Sequence, residues 1–151
     1  MQKVKIAPAT GEERNWAASI ISGSEPWVTL GITIEASLKF CNDPEYSVFI
    51  AHDGINPCGA MVIHPRGLAS SPYLKSIVVD ERYRSMGIGQ ALLEYAEEYY
   101  SKTARHFFMC VSSFNPRARA LYERLGYSQV GEFPDYILKG QSEILLHKRL
   151  E

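Results

Sequence analysis

The sequence predicts an α/β fold in which a mixed, mostly antiparallel sheet is flanked by helices, in the order β-α-α-β-β-β-α-β-α-β-β. Short apolar runs, the first of them with apolar residues at every second position, alternate with longer segments whose apolar residues follow the helical repeat. A chain of 151 residues is long enough to bury one sizeable core, and the sequence has no internal repeat, low-complexity tract or linker. We therefore expect residues 1–151 to form a single domain.

The first predicted elements are a strand and two helices. The stretch KVKIAP alternates with period two, and Thr10 and Glu13 then match a Thr-x-x-Glu capping box, which predicts a helix ending near Ile21. A second helical pattern covers about Ile32 to Phe40. Between them, SGSEPWVTLG is rich in glycine, serine and proline, so we expect its proline and tryptophan in an inter-helix loop.

Three consecutive strands follow. YSVFIAH and CGAMVIH are apolar runs joined by DGINP, whose Asp-Gly and Asn-Pro pairs favour turns, so the two runs predict a β-hairpin. YLKSIVVD predicts the third strand.

The segment YRSMGIGQALLEYAEEYY predicts a short loop followed by an amphipathic helix. Its apolar residues share one helical face, and its glutamates are expected to face outward. The apolar set is Ile88, Leu92, Tyr95, Ala96 and Tyr99, and the outward set is Glu94, Glu97 and Glu98.

The last elements are a strand, a helix and two closing strands. HFFMCV reads as a buried strand, and NPRARALYERLGY predicts a compact helix with Asn115 at its cap, Pro116 in its first turn and Gly126 just past its end. YSQVGEF and SEILLHKRL predict the closing strands.

Composition and cysteine spacing exclude several classes of function. The net charge is -1 with both signs interspersed, which disfavours a general grip on nucleic acid. Cys41, Cys58 and Cys110 form no Cys-x-x-Cys pair and the histidines no His-x-x-x-His pair, so neither a disulfide framework nor a metal site is indicated. MQKVKIAPAT is not a usual secretory signal and no segment resembles a membrane span, so we expect a cytoplasmic protein with no membrane partner.

The two glycines of RSMGIG stand where a helix begins. The first amides of a helix lack internal partners and carry a partial positive charge, so such an entrance attracts phosphate. Gly87 and Gly89 would let backbone amides approach an anion, with Arg84 adding a charged donor, although a Gly-x-Gly can also serve only as a cap. A Rossmann fingerprint needs a third glycine where Leu92 stands, and the Gly-Lys-Ser/Thr of a Walker loop is absent.

Arg-x-x-Gly-x-Gly directly after a strand resembles the pyrophosphate-binding segment of the GCN5-related N-acetyltransferase superfamily. The resemblance covers nearly the whole chain and is strongest in SIVVDERYRSMGIGQALL and NPRARALYERLGY. It implies that acetyl-CoA is the co-substrate, held by the entrance loop, by the backbone of the preceding strand and by the asparagine of the last helix. Those residues are Arg84, Ser85, Met86, Gly87, Ile88 and Gly89 in the loop, Ile77 and Val79 in the strand, and Asn115.

The resemblance also assigns catalytic roles. Tyr122 matches the family tyrosine that donates a proton to the departing CoA sulfur, although its spacing places it equally well on the apolar face of its helix. Some N-terminal alanine acetyltransferases carry a glutamate at the position of Cys110. Because this chain has no glutamate there, the candidate bases that could deprotonate the amine are a water chain or Glu35.

Two segments are similar to the substrate-binding parts of ribosomal-protein alanine acetyltransferases. SEPWVTLG resembles their Pro-Trp loop and FPDYILKGQSEILL their tyrosine-bearing closing hairpin. This implies that Pro26, Trp27 and Tyr136 line the acceptor side together with Glu35, while Trp27 can equally be a structural anchor of its loop.

Three functions therefore compete. The first is an acetyl-CoA-dependent N-acetyltransferase that acts by direct attack of a primary amine in a ternary complex, the amine being a small molecule or a peptide N-terminus. The second is a non-catalytic acyl-CoA-binding module. The third, a phosphotransferase, lacks an obvious Asp pair or lysine for magnesium and phosphate. Exposed closing strands favour a homodimer.

Overall fold

The computed structural model describes residues 3–151, which form a seven-stranded mixed sheet with helices on both faces. The strands are β1 (Lys5–Pro8), β2 (Ser47–His52), β3 (Pro57–Leu68), β4 (Ser71–Val79), β5 (His106–Ser112), β6 (Ser128–Pro134) and β7 (Ser142–Arg149). The helices are α1 (Gly11–Ser22), α2 (Trp27–Leu30), α3 (Ile34–Cys41), α4 (Ile88–Ser101) and α5 (Pro116–Arg124). The sheet order is β1-β2-β3-β4-β5-β7-β6, and every neighbouring pair is antiparallel except β4 and β5. The predicted fold class and element order are confirmed, with α2 as an addition.

The short helix α2 corrects one prediction. Trp27 does not lie in a loop: it begins α2, and Pro26 is the residue before that helix. Proline is compatible with a helix start because the N–H it lacks would have no partner there. Gly31 ends α2 in the left-handed conformation, with φ 77°, and Glu25 accepts hydrogen bonds from the backbone N–H and hydroxyl of Thr29.

Local capping signals set the other helix ends. Thr10 and Glu13 form the predicted capping box at the start of α1. Thr33 caps α3, so this helix begins after the predicted Ile32. Asn115 caps α5 as predicted, by accepting the N–H of Ala118.

The helices divide the core into two clusters. α1 and α3 pack on one face of the sheet around Ile21, Cys41, Val62 and Val78. α4 and α5 lie on the other face, where the larger cluster includes Ile88, Leu92, Phe107, Met109 and Leu146.

The predicted faces of α4 need two corrections. Tyr100 is buried where Tyr99 was expected, and Tyr99 is 47% exposed. Glu97 does not face solvent freely, because it accepts hydrogen bonds from the Tyr127 hydroxyl and from Lys148 Nζ. Both corrections arise at the C-terminal half of α4, where residues distant in sequence pack against the helix.

The centre of the sheet opens between β4 and β5. Within residues 3–151, only two residue pairs join these strands, and they are Tyr73 with Phe108 and Leu74 with Met109. Lys75 is an extra residue in β4, because Leu74 and Ser76 pair with consecutive residues of β3. Such a bulge bends its strand. β4 and β5 therefore run on without pairing toward Val79 and Ser112.

No helix between Lys3 and Glu151 combines the length and apolar character needed to cross a membrane.

Candidate active site

A cavity of about 560 Å³ occupies the opening between β4 and β5. Its walls come from both strands, from α2 and α5, and from the β6–β7 hairpin. The predicted site residues that line it are Pro26, Trp27, Ile77, Asn115, Tyr122 and Tyr136. The structure thus brings together residues that are separated by up to 110 positions in sequence, from Pro26 to Tyr136.

The other predicted residues lie outside the cavity walls. Val79 and the segment 84–89 continue from the same end of β4 into the start of α4. Glu35 lies exposed on α3 and is not part of the cavity lining, so the structure does not bring it to Tyr122.

Strand β4 directs peptide groups into the opening. The Asp80 N–H donates to the Cys58 carbonyl at 2.8 Å, on the β3 side. Peptide groups alternate sides along a strand, so those of Val78 also face β3, whereas those of Ile77 and Val79 face the opening. Consistent with this, the Arg84 Nε donates to the Val79 carbonyl at 3.3 Å. Ile77 therefore presents a donor and an acceptor to an extended ligand.

The start of α4 has the features of an anion site. Gly87 precedes the helix in the left-handed conformation, with φ 80°, and no side chain caps the first amides. The first turn carries no acidic residue. These amides therefore point outward without a protein acceptor.

Gly89 is not required by the packing of the protein itself. A Cβ built at this position would meet its nearest neighbour, Val79 Cγ2, at 3.9 Å, which is ordinary contact. The second glycine of the motif therefore leaves space at the helix entrance, as close approach of a ligand to the backbone would require.

Hydrogen bonds to Asp53 hold the loop between β4 and α4 in place. The Tyr83 hydroxyl donates to Asp53, whose carboxylate also accepts the N–H groups of Ile55 and Asn56. These hydrogen bonds lower the pKa of Asp53 to about 2. The turn at Asp53 was predicted from its Asp-Gly pair, but the contact with Tyr83, 30 residues away, was not, since no local pattern indicates that pairing.

Tyr122 lines the cavity from α5. Burial raises the pKa of its hydroxyl to about 12, so the group stays protonated near neutral pH. Its ring meets that of Tyr127 edge-on, with centroids 6.4 Å apart. Tyr122 is therefore both a packing residue and a neutral hydrogen-bond donor at the cavity wall.

The polar cavity residues that were not predicted as site residues include Glu143, Ser112 and Ser76. Glu143 is only 9% exposed, and its Oε2 accepts a hydrogen bond from Ser112 Oγ at 2.7 Å. Ser76 is 3% exposed, and its hydroxyl has no hydrogen-bond partner in the described chain. The sequence contains one signal of this site: Glu143 is a charged residue inside the apolar run SEILL. A strand with one polar position explains the same pattern, so Glu143 was not predicted as a site residue.

Cys110 and Tyr73 face this polar wall. Burial raises the pKa of the Cys110 thiol, which keeps it protonated near neutral pH and unfit to replace a glutamate base. Burial, Cys110 and Glu143 together raise the pKa of the Tyr73 hydroxyl.

Aromatic side chains line one end of the cavity. Trp27 lines it from α2, and Phe133 and Tyr136 line it from the opposite side, with their ring centroids 5.2 Å apart. Trp27 also packs against the α1–α3 core, so it anchors α2 as well as lining the cavity.

Within residues 3–151, no group of three or more His, Cys, Asp or Glu side chains is arranged to hold a metal ion.

Comparison with known proteins identifies relatives of this chain. The family model described as the acetyltransferase (GNAT) family matches residues 13–127. An uncharacterized N-acetyltransferase of Methanocaldococcus jannaschii is 34% identical over 79 residues, which are 51% of this chain and 51% of that protein. The chain thus spans about half the length of the curated relative it matches.

Two solved structures share the fold. The ribosomal-protein-S18-alanine N-acetyltransferase from Escherichia coli superimposes with a TM-score of 0.83 at 18% identity, over 99% of this chain and 95% of that chain. An aminoglycoside 6'-N-acetyltransferase complexed with coenzyme A gives a TM-score of 0.78 at 18% identity, over 97% of each chain. At these identities the likeness is one of fold.

Proposed function

The chain belongs to the acetyltransferase (GNAT) family, and from this premise we propose that it is an N-acetyltransferase that uses acetyl-CoA and a primary amine. The observation that carries the proposal is the opening between β4 and β5, where the Ile77 peptide groups and the Tyr122 hydroxyl line one cavity. The resemblance of its fold to an acetyltransferase complexed with coenzyme A supports the same donor.

The residues present fit acetyl-CoA. The uncapped amides at the start of α4, beside the space left by Gly89, suit a diphosphate. The peptide groups of Ile77 suit the amides of an extended pantetheine arm, and Asn115 lies along the same cavity wall. Arg84 reaches the end of β4 through the Val79 carbonyl and adds positive charge beside this segment.

The coenzyme supplies the acetyl group as a thioester, and the protein holds and stabilises the reacting groups. The neutral amine nitrogen forms a bond with the thioester carbonyl carbon in a ternary complex, and the carbon–sulfur bond breaks. CoA leaves as the thiolate, and the nitrogen loses a proton to solvent to give the neutral amide. Tyr122 donates a hydrogen bond to the departing sulfur. Because its pKa is about 12 and that of a thiol is about 8.5, complete proton transfer is uphill. Stabilisation of the developing negative charge is therefore its main contribution.

The acceptor amine enters from the aromatic end of the cavity, where Pro26, Trp27 and Tyr136 lie. An α-amine, with an ordinary pKa of about 7.7, loses its proton far more readily than a lysine amine at about 10.4. Forming the attacking neutral amine therefore costs less free energy for an α-amine than for a lysine amine.

Thiol release tests the proposal. The protein is incubated with acetyl-CoA and a panel that contains an alanyl peptide amide, spermidine and an aminoglycoside, and free CoA is measured against a sample without acceptor. We expect release with at least one amine. Coenzyme binding without release for any acceptor would favour the acyl-CoA-binding module, and tight ATP binding without coenzyme binding would favour a phosphotransferase.

The edge strand β6 is largely exposed, and the proposed homodimer would use this edge.

A further inference from the structure

A buried carboxylate in the cavity has no charged partner. Glu143 lies near the start of β7, is 9% exposed, and lines the cavity. Its single hydrogen bond within residues 3–151 comes from the Ser112 hydroxyl, which is neutral and bonds only to Oε2. The second oxygen, Oε1, is left for another donor.

The other charged residues of the cavity do not pair with Glu143. No Lys, Arg or His nitrogen of the described chain lies within 4.0 Å of its carboxylate. Lys75 lines the same cavity, but its Nζ lies over the Phe40 ring, 5.1 Å from the centroid. The carboxylate of Glu25 is held by Thr29. A buried charge without a counter-ion is costly, and buried charges are ordinarily paired, so the Glu143 carboxylate is suited to a cationic ligand.

The surroundings of Glu143 suit a cation. Trp27, Tyr73, Phe133 and Tyr136 line the cavity, and aromatic faces attract ammonium groups.

We propose that Glu143 binds the acceptor amine in its ammonium form, through Oε1, and thereby makes the cavity selective for cationic acceptors over neutral molecules of the same shape. This inference rests on the proposed function and names the charge of the acceptor that this site selects. The shared chemistry is a primary ammonium group, which a small amine or a peptide N-terminus can supply. The neutral amine in equilibrium with the bound ammonium is the form that attacks.

The test is calorimetric titration of the full chain saturated with CoA. The probes are phenethylamine, spermidine and alanyl-phenylalanine amide, and 2-phenylethanol is the neutral counterpart of phenethylamine. We expect at least one amine to bind, and phenethylamine to bind at least tenfold more tightly than 2-phenylethanol. Spermidine and the dipeptide amide distinguish a small-molecule acceptor from a peptide terminus. This comparison uses the unmodified protein and so does not depend on whether a variant folds.

The variant Glu143→Gln keeps the shape of the side chain and removes its charge. We expect it to weaken amine binding and to raise the KM for the amine at least tenfold, while the KM for acetyl-CoA changes less than twofold. Glu132→Gln is the matched control: Glu132 lies on the neighbouring strand β6 and accepts a hydrogen bond from Ser142, but it does not line the cavity. It should leave amine binding unchanged.

The outcomes separate this inference from the proposed function. Thiol release by the wild-type protein together with an amine KM that Glu143→Gln leaves within twofold would overturn the role of Glu143 alone. Amine binding that depends on Glu143 without thiol release would support the inference and count against the N-acetyltransferase. Equal affinity for phenethylamine and 2-phenylethanol, or binding of none of the three amines, would also overturn it.

Discussion

Replacement of Gly89 by alanine separates the stability of α4 from its capacity to bind a ligand. Gly89 is the second residue of α4, does not require the left-handed conformation, and has 3.9 Å of clearance to Val79 Cγ2. Alanine in a helix is favoured over glycine by up to about 1 kcal/mol, so Gly89→Ala should unfold at a temperature unchanged or raised by about 2–4 °C. The added methyl group would stand beside the uncapped amides. We therefore expect the affinity for CoA to fall at least tenfold, which is about 1.4 kcal/mol.

Thermal unfolding and calorimetric titration with CoA measure the two effects in the same preparation. Gly11→Ala is the matched control, because Gly11 begins α1 with no atom within 4 Å of its built Cβ; its CoA affinity should not change. Gly87→Ala is the opposite control: with φ 80°, alanine is strained by about 1–2 kcal/mol, and the protein should lose stability. If Gly89→Ala is as stable as expected and still binds CoA with unchanged affinity, the diphosphate does not approach this backbone and the proposed coenzyme site is wrong.

Two further expectations concern Tyr122 and Asp53. In steady-state kinetics, Tyr122→Phe should lower kcat at least tenfold and leave the affinity for acetyl-CoA within a few-fold, because the ring stays and only the hydrogen-bond donor is lost. The control Tyr99→Phe, at an exposed position, should leave kcat unchanged. If Tyr122→Phe also leaves kcat unchanged, Tyr122 has only a packing role. Asp53 has a pKa lowered to about 2, so its stabilising contribution is complete above the ordinary carboxyl pKa near 3.8 and is lost as pH falls through about 2. The difference in Tm between wild type and Asp53→Asn should therefore be largest at pH 5 and above and shrink toward pH 2. A difference independent of pH would contradict a stabilising role for the hydrogen bonds that the Asp53 carboxylate accepts from Asn56, Tyr83 and Ile55.

Local signals carried the prediction of the fold. The capping box of Thr10 and Glu13 and the Asn115 cap involve partners three residues apart, and both were read from the sequence and confirmed. The strands could also be predicted, because a short apolar or alternating run bounded by turn residues is a property of each strand by itself.

Features that depend on tertiary contacts were not legible. Glu97 faces inward because Tyr127 and Lys148 approach it from distant parts of the chain. Glu143 lines the cavity because the sheet opens beside it, and β5 places Ser112 within hydrogen-bond distance of its carboxylate. A single sequence shows neither approach, so both glutamates looked like ordinary strand or helix residues.

The scarcity of pairing between β4 and β5 has a mechanical consequence. The sheet consists of two hydrogen-bonded halves, β1–β4 and β5–β7, which are joined where Tyr73 and Leu74 of β4 pair with β5. A pantetheine arm that pairs with the peptide groups of Ile77 would act as an added strand and bridge the two halves. Acetyl-CoA would then be part of the hydrogen-bonded sheet. Release of CoA after each turnover would remove this pairing and loosen the opening between β4 and β5, through which the next acetyl-CoA enters.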